Sequence, residues 1–320
     1  MAKRKPLVSI CVPVFNEEEN LGPLFTRLVS IATRMKSKCD IEVIFSDNQS
    51  VDATWEIVCN LAKLDKRVRG IQLSANVGVQ KSLLANYIHA RGDVVFQIDA
   101  DLQDPPELLE EFFAHWEQGY KVVYGIRASR SEGKILNTFR SLGYWFIDRA
   151  SSTGIPRDVG DFALMDRKVI ENLIQIAGPK PYLRGAIATM GFSHIGVPFK
   201  RDLRKFGKSK FNTAKLIKLG LAGVLNYSLM PLRLATYSGL IILAATTFLA
   251  GFYGISQILN PSSPQGFTTL ILVILFGIGF NALLLGIIGE YILRLNFLMR
   301  PQPVARVVKT INFKANEIKL

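Results

Sequence analysis

The chain has 320 residues, enough for one large domain or two ordinary ones with a substantial core. Its 39 Lys and Arg outnumber its 26 Asp and Glu, which indicates an anionic partner such as nucleic acid, a phosphate-bearing substrate or a membrane surface. The three cysteines, Cys11, Cys39 and Cys59, lack the spacing of metal ligands and fit reduced thiols in a cytoplasmic domain.

Five apolar, β-type segments alternate with helical segments in the first 126 residues. The predicted strands cover residues 7–14, 41–46, 68–73, 94–98 and 121–126. The predicted helices between them end near residues 35, 64, 90 and 118. Strands and helices alternating at this spacing predict an α/β domain with a Rossmann-like, mostly parallel sheet and helices on both faces.

Three of these strands end in polar side chains. They are Asn16 and Glu17 after the first strand, Asp47 and Asn48 after the second, and Asp99 and Asp101 after the fourth. Because parallel strands all point the same way, these side chains are expected to line one crevice at the carboxyl edge of the sheet.

Asp99 and Asp101 are two positions apart on an extended chain, so they project to the same side. Two carboxylates on one side repel each other unless a cation is close by. Mg²⁺ or Mn²⁺, held by one or two carboxylates together with substrate phosphates, suits this arrangement. Taken alone, Asp-x-Asp is more typical of a solvated turn, and its position directly after a buried strand makes the metal-binding interpretation equally good. Asp104, followed by two prolines and Glu107, predicts the next helix with Asp104 as its N-cap.

Two other nucleotide-binding motifs are excluded. The first strand is not followed by Gly-x-Gly-x-x-Gly, which argues against a dinucleotide site. Gly207-Lys208-Ser209 looks like the end of a P-loop, but Asp202 stands where that motif needs its first glycine.

Asp158 and Asp161 precede a short β-type run at residues 162–165. A turn would explain Gly160 and one of the acids. Two acids beside a nucleotide crevice can equally be catalytic, and the residues themselves do not decide between these interpretations.

Basic residues follow the fifth strand and recur before the apolar part of the chain. Residues 127–149 are basic and amphipathic, and their helix is expected to pack on the domain surface. Arg127, at its start, lies near the predicted crevice and can pair with phosphate. A second basic cluster comprises Arg201, Arg204, Lys205, Lys208 and Lys210. It favours either substrate phosphate or anionic lipid heads, and residues 214–225 predict an interfacial helix.

Residues 234–289 contain no Asp, Glu, Lys, Arg or His. The apolar runs 234–259 and 267–289 are each long enough to cross a bilayer, which takes about 20 helical residues. A buried helical hairpin in a soluble protein is the alternative. The linker 260–266 carries no positive charge whereas both flanks do, so the termini are expected on the cytoplasmic side.

These patterns predict four parts. Residues 1–211 form a cytoplasmic catalytic domain, 212–233 interfacial amphipathic helices, 234–293 two transmembrane helices with a short external linker, and 294–320 a basic cytoplasmic tail. The start of the chain lacks the pattern of a cleavable signal peptide. The expected location is the cell (inner) membrane, with several passes.

Several motifs together resemble a known family. They are VPVFNEEENL (12–21), SDNQSVDAT (46–54), NVGVQKSLLA (76–85), GDVVFQIDADLQDPPEL (92–108), VVYGIR (122–127), VGDFALMDRKVI (159–170), FGKSKF (206–211), PLRLATYSG (231–239) and GEYILR (289–294). In this order they resemble the polyisoprenyl-phosphate glycosyltransferases of family 2, which have a GT-A fold and are similar to dolichol-phosphate mannose synthase. Among these, the chain looks like the bacterial two-span undecaprenyl-phosphate glucosyltransferases.

The resemblance implies a role for each matching residue. Pro13, Asn16, Glu17, Asp47 and Asn76 would hold the nucleoside, Asp99 would contact ribose or sugar, Asp101 and Gln103 would bind Mg²⁺ or Mn²⁺, and Arg127, Arg140, Arg201, Arg204 and Lys210 would meet phosphates of the donor or the lipid acceptor. Family members often have Asp-Asp-Gly-Ser where this chain has Asp47-Asn48-Gln49-Ser50. Asp47 is then the single acid that reads the base.

The implied reaction transfers a sugar from a nucleotide-sugar donor, with UDP-glucose expected, to a polyisoprenyl phosphate in the membrane. A phosphate monoester with a second pKa of about 6 is already a nucleophile at neutral pH, so inversion without a protein base is expected. Asp158 or Asp161 would orient the acceptor or sugar. Nucleic acid is not expected as a partner, and a homo-oligomer is left open.

Three alternatives remain: a related transferase using GDP-mannose or a UDP-amino sugar, a processive polysaccharide synthase, and a non-catalytic membrane adaptor. Processive synthases generally carry Gln-x-x-Arg-Trp and more spans. None of Trp55, Trp116 and Trp145 stands in that setting. Intact Asp99, Asp101 and Gln103 argue against the adaptor.

Overall fold

The computed structural model describes residues 4–127, 159–177, 181–202, single positions between 237 and 259, residues 266–299, 306–314 and residue 317. The chain divides into two compact units. The first comprises residues 1–148, 152–212 and 302–320, and the second comprises residues 149–151 and 213–301.

The first unit is built on an eight-stranded sheet. Its strands are β1 (Leu7–Val14), β2 (Asp40–Asp47), β3 (Val68–Leu73), β4 (Val94–Gln97), β5 (Val122–Arg127), β6 (Val159–Asp166), β7 (His194–Phe199) and β8 (Val307–Ile311). They are arranged in the order β7-β5-β6-β4-β1-β2-β3-β8. Strands β4, β1, β2 and β3 are parallel neighbours, whereas β6 and β8 run antiparallel to theirs. The expected mostly parallel sheet is confirmed.

Six helices connect the strands of this unit or pack beside them. They are α1 (Glu18–Arg34), α2 (Thr54–Leu64), α3 (Val79–His89), α4 (Leu109–Glu117), α5 (Arg167–Ile176) and α6 (Leu183–Thr189). The strand-helix alternation up to β5 follows the sequence prediction closely. β7 and β8 were not predicted, because their short segments lack a strong apolar run.

The core explains why β1 is apolar on both faces. Val8, Ile10 and Val12 belong to one buried cluster with α1 and α4, whereas Cys11 belongs to another with α3 and α5. A parallel strand covered on both faces needs apolar residues at consecutive positions rather than at alternate ones. The carboxyl edge of this rigid sheet therefore carries the polar loops.

The end of the chain differs from the predicted basic tail at 294–320. Residues 307–311 form β8, which pairs antiparallel with β3 at the edge of the sheet. The Asn312 side chain donates hydrogen bonds of 2.7 and 2.8 Å to the carbonyl oxygens of Ala62 and Val68. The segment from Val307 to Ile311 is short and includes Lys309 and Thr310. Its apolar pattern is therefore weak, and the basic residues around it predicted a tail instead of a strand.

A buried ion cluster fastens this segment to the sheet. Arg69 is 1% exposed, and its Nη1 lies 3.1 Å from Glu42 Oε2, while its guanidinium lies 3.8 Å from the centre of the Phe313 ring. Glu317 pairs with both Arg69 and Arg91. Because each charge in the cluster has a partner, burial of Arg69 is tolerated.

The second unit contains the long helix α7 (Phe267–Met299), of 33 residues. The predicted second span, 267–289, is helical, and the helix continues beyond it. Counting only the residues that the structure describes, no helix is long and apolar enough to cross a membrane. The interfacial segment 212–233 lies outside the described residues, and the first predicted span is described only at single helical positions.

From the ion cluster we expect substitutions of two nearby arginines to change the free energy of unfolding by very different amounts. Arg69→Met leaves the buried Glu42 with less positive charge and should lower the free energy of unfolding by about 3–5 kcal/mol. Arg67→Met removes a half-exposed pair with Asp65 and should cost about 1 kcal/mol or less. Denaturant unfolding of the full chain in detergent measures both. Equal costs would show that the cluster does not hold the C-terminal segment.

Candidate active site

The topology gathers the polar strand ends at one edge. β1 and β2 are in register with Val14 opposite Asp47, and β4 lies on the other side of β1. β6 runs antiparallel to β4 with Ala163 opposite Gln97. The start of β6, with Asp161, therefore reaches the same edge as Asp99, two residues beyond Gln97.

Asp47 is fully buried at the end of β2. Its Oδ2 accepts a hydrogen bond of 2.8 Å from Gln72 Nε2, and its Oδ1 accepts one of 3.1 Å from the Ser50 backbone N–H. Gln72 was not identified from sequence. The feature that marks Gln72 is that β3 carries polar residues although the strand is buried along its whole length.

Asn16 and Glu17 organise the loop after β1. Asn16 has a positive φ of 52° and its Oδ1 accepts a hydrogen bond of 2.9 Å from the Val51 N–H. Glu17 Oε2 accepts one of 2.6 Å from Asn20 Nδ2. Pro13 lies opposite Ser46 in the β1–β2 register. The loops after β1 and β2 are thus joined by direct hydrogen bonds.

Asn48, which replaces the family's second Asp, has a structural contact of its own. Its Nδ2 donates a hydrogen bond of 2.9 Å to Asn76 Oδ1, and its Oδ1 accepts one of 2.9 Å from the Val77 N–H. An aspartate has no donor for Asn76, so the amide suits this position. Asn76 lies in the loop before α3 and is thereby held beside the end of β2.

Four carboxyl groups, those of Asp99, Asp101, Asp104 and Asp161, lie near one another at the end of β4. Burial of the Asp99 carboxyl, together with the negative charges of Asp161, Asp104 and Asp101, raises the pKa of Asp99 to about 7, against a partial offset by Arg201. Burial also raises the pKa of Asp104, and Arg201 and Arg127 oppose that rise. Burial is therefore the larger cause of both shifts, and the neighbouring charges modify it.

Arg201, just after β7, reaches this cluster. Its Nη2 lies 3.8 Å from Asp101 Oδ2 and its Nε lies 3.3 Å from Asp104 Oδ1. The Asp202 N–H also donates a hydrogen bond of 2.9 Å to the Gln103 carbonyl oxygen. Asp101 Oδ1 accepts a hydrogen bond of 3.2 Å from the Gln103 N–H.

The predicted N-cap role of Asp104 is wrong. A 3₁₀ turn, Pro106–Leu108, precedes α4, and no side chain caps either element. Asp104 is 2% exposed and faces Arg201 instead. The two consecutive prolines disfavour an α-helical start directly after Asp104, which leaves its carboxylate free to turn inwards.

Asp161 and Arg127 bring the second half of the sheet into the site. Arg184 of α6 lies 3.2 Å from Asp161 Oδ1. The Arg127 guanidinium packs against Gly160, where a Cβ would lie 3.1 Å from its Nη2. Arg184 was missed from sequence, because its short helix carries no motif by itself. Its position becomes evident only when α6 is placed beside β6.

The remaining site predictions lie outside the described residues: Asp158, Arg140, Arg204 and Lys210. Among the described residues, the structure brings Asp99, Asp101, Asp104, Asp161 and Arg201 together, and groups Asn16, Asp47 and Asn76 at the end of β1 and β2. The individual roles implied for them stay predictions.

The acidic cluster fits a divalent cation shared with substrate. Within the described ranges, no group of three or more His, Cys, Asp or Glu side chains is placed to hold a metal ion by itself. Mg²⁺ usually takes only one or two carboxylates and completes its shell with water and phosphate. Asp104 Oδ1 is buried 3.3 Å from Arg201 Nε but has no well-formed hydrogen bond among the described residues, and burial together with the charges of Asp161, Asp104 and Asp101 raises the pKa of Asp99. Both observations fit a cation here.

Comparison with known proteins identifies the family. The model of glycosyl transferase family 2 matches residues 9–174, from β1 through most of α5. The chain belongs to glycosyl transferase family 2. The α/β GT-A fold expected from the sequence is therefore confirmed, and the chain is a glycosyltransferase.

Relatives cover nearly the whole glycosyltransferase. The uncharacterized glycosyltransferase YkcC of Bacillus subtilis is 35% identical over 304 residues, which are 94% of this chain and 93% of its own. The SfII prophage-derived bactoprenol glucosyl transferase of Shigella flexneri is 35% identical over 298 residues, 92% of this chain and 96% of its own. A solved structure, mannosyltransferase PcManGT from Pyrobaculum calidifontis with GDP-Man and Mn²⁺, is 18% identical with 88% of each chain covered and a TM-score of 0.47.

Proposed function

We propose that this glycosyltransferase moves glucose from UDP-glucose to undecaprenyl phosphate, or a similar polyisoprenyl phosphate, with inversion at the anomeric carbon. The observation that carries the proposal is the near full-length similarity to a bactoprenol glucosyl transferase. The acidic cluster at the carboxyl edge of the sheet supports it, because this edge is where open α/β sheets bind ligands.

The donor would lie along this edge with its base at the β1–β2 end. Asn16, Glu17, Asp47 and Asn76, with Pro13 beside them, would hold the nucleoside. Asp99 would contact ribose or sugar. Asp101 and Gln103 would hold Mg²⁺ or Mn²⁺, and a bound cation of this kind neutralises charge on the departing diphosphate. The positions of Arg127 and Arg201 near the carboxylates support phosphate contacts.

The reaction needs no proton acceptor on the protein. An oxygen of the ionised acceptor phosphate forms a bond to the anomeric carbon, while the bond from that carbon to the diphosphate oxygen breaks. The electron pair leaves with the nucleoside diphosphate, so charge and atoms balance without proton transfer. Asp161 then orients acceptor or sugar, and its pairing with Arg184 keeps its carboxylate in one position. Asp158, Arg140, Arg204 and Lys210 stay in the proposal as acceptor-side residues from the resemblance.

The proposed location is the cell inner membrane, with the catalytic domain and both termini on the cytoplasmic side. The uncharged interval 234–289 and the positive flanks support it. On α7, Phe276, Ile278 and Leu285 are each more than 60% exposed, and lipid would remove such large apolar side chains from water. The acceptor's chain requires the same environment.

A transfer assay tests the proposed reaction. The full chain in detergent, given labelled UDP-glucose, undecaprenyl phosphate and Mn²⁺, should release UDP and form a labelled lipid. Asp101→Ala should lower the rate by at least about 10² because it removes a proposed ligand of the cation that would neutralise the departing diphosphate. Asp40→Ala changes an exposed carboxylate at the amino end of β2 and serves as the matched control. The proposal would be contradicted if no labelled lipid formed from UDP-glucose, or if Asp101→Ala kept full activity.

Reporter fusions test the location. Alkaline phosphatase, which is active only outside the cytoplasm, should be active when inserted within residues 260–266 and inactive after Leu320. Green fluorescent protein at the same two positions should give the opposite result. A fluorescent fusion at 260–266 would contradict the proposed two-pass orientation.

A further inference from the structure

An apolar cavity lies beside the acidic cluster and has no part in the donor site proposed above. It occupies about 740 Å³ including its opening and lies between α3, α6 and the β5–β6 part of the sheet. Its apolar wall includes Leu83, Tyr124, Met165, Ile187 and Ala188. Such a wall offers little to a sugar or a base, whose hydroxyl and amide groups would lose their hydrogen bonds to water there.

The cavity has an ion pair at one end, and His194, which lies opposite Val122, lines the other end. Asp161 and Arg184 line it together with Gly160. Met165 lies opposite Val122 in the β5–β6 register, whereas Val159 lies opposite Ile126, near the carboxyl end of β5. Along β6, Asp161 is therefore at the end nearest the catalytic edge, and Met165 is at the far end.

The polar end is close to the acidic cluster. The negative charge of Asp161 acts on Asp99, and both carboxylates act on Tyr87 in the cavity wall. Two guanidinium groups flank this end, since Arg184 pairs with Asp161 and Arg127 packs on Gly160. Guanidinium groups bind phosphate with charge-assisted hydrogen bonds.

We infer that this cavity binds the first isoprene units of the lipid acceptor, with the acceptor phosphate at the Asp161–Arg184 end. The inference rests on the proposed function and adds a specificity site to it. A ligand with an anionic head and a branched apolar chain matches a cavity with two arginines at one end and an apolar interior. Its phosphate would then face the Asp99 end of the donor site, where the sugar carbon is proposed to lie.

Filling the cavity tests the inference. Ala188→Leu adds three carbons to the cavity wall, and Thr189→Leu places a leucine on the exposed neighbouring position of the same helix as a matched control. One methylene in an apolar pocket changes discrimination by about tenfold or more. Ala188→Leu should therefore raise the KM for undecaprenyl phosphate at least about tenfold while the affinity for UDP stays unchanged. Thr189→Leu should behave as wild type.

The outcomes separate this inference from the proposed reaction. If wild type transfers no glucose to any polyisoprenyl phosphate, the proposed function fails. If wild type is active and folded Ala188→Leu keeps its acceptor KM, the cavity is not the acceptor site. Should Ala188→Leu not fold, wild type labelled with a diazirine-bearing farnesyl phosphate decides. Label within residues 183–192 or 83–87 supports the inference, and label only elsewhere overturns it.

Discussion

The mutual repulsion of Asp99, Asp101, Asp104 and Asp161 is the constraint on which the active site depends. The sheet brings these carboxyl groups together, because β4 ends and β6 begins at the same edge. Arg201 offsets part of the charge at 3.3 Å from Asp104 and 3.8 Å from Asp101. Burial of the Asp99 carboxyl and the remaining negative charge together raise the pKa of Asp99 to about 7. The negative charge of this edge supports the divalent cation and the diphosphate-bearing donor proposed above.

The end of the site that is proposed to hold the nucleoside depends on a different interaction. Gln72 of β3 holds Asp47 in a fixed orientation, and β3 is itself covered by β8 from the end of the chain. The Ser74 N–H donates to the Arg306 carbonyl oxygen at 2.8 Å, just before the loop that carries Asn76. A segment that follows α7 in sequence thus completes the sheet beside the predicted base-reading residue. Residues 306–314 and Glu317 therefore belong to the same compact unit as the sheet, and a truncation that removes them would disturb that unit.

Much of this arrangement follows from the sequence. The boundaries of β1 and β3 match the predicted strands 7–14 and 68–73, and the common edge of Asn16, Asp47 and Asp99 follows from parallel strands alone. Contacts between residues far apart in sequence did not follow. Gln72 and Arg184 carry no motif, and their importance arises from strands and helices that meet only in the fold. Asp104 was predicted to cap the following helix, but its side chain contacts Arg201, which is distant in sequence.

Thermal unfolding of wild type and Asp99→Asn, with and without Mn²⁺, tests the electrostatic account most directly. A folded-state pKa of about 7 against an ordinary 3.8 means that the native state holds the extra proton between these values. Its free energy of unfolding therefore falls as pH rises through that window. In EDTA, Asp99→Asn should have a higher Tm than wild type at about pH 8 and a smaller advantage at about pH 5. Asp202→Asn, which alters an exposed acid nearby, should follow wild type. Mn²⁺ should raise the wild-type Tm at the higher pH and reduce the difference in Tm between wild type and Asp99→Asn. A gap that is the same at both pH values and unaffected by Mn²⁺ would contradict the account.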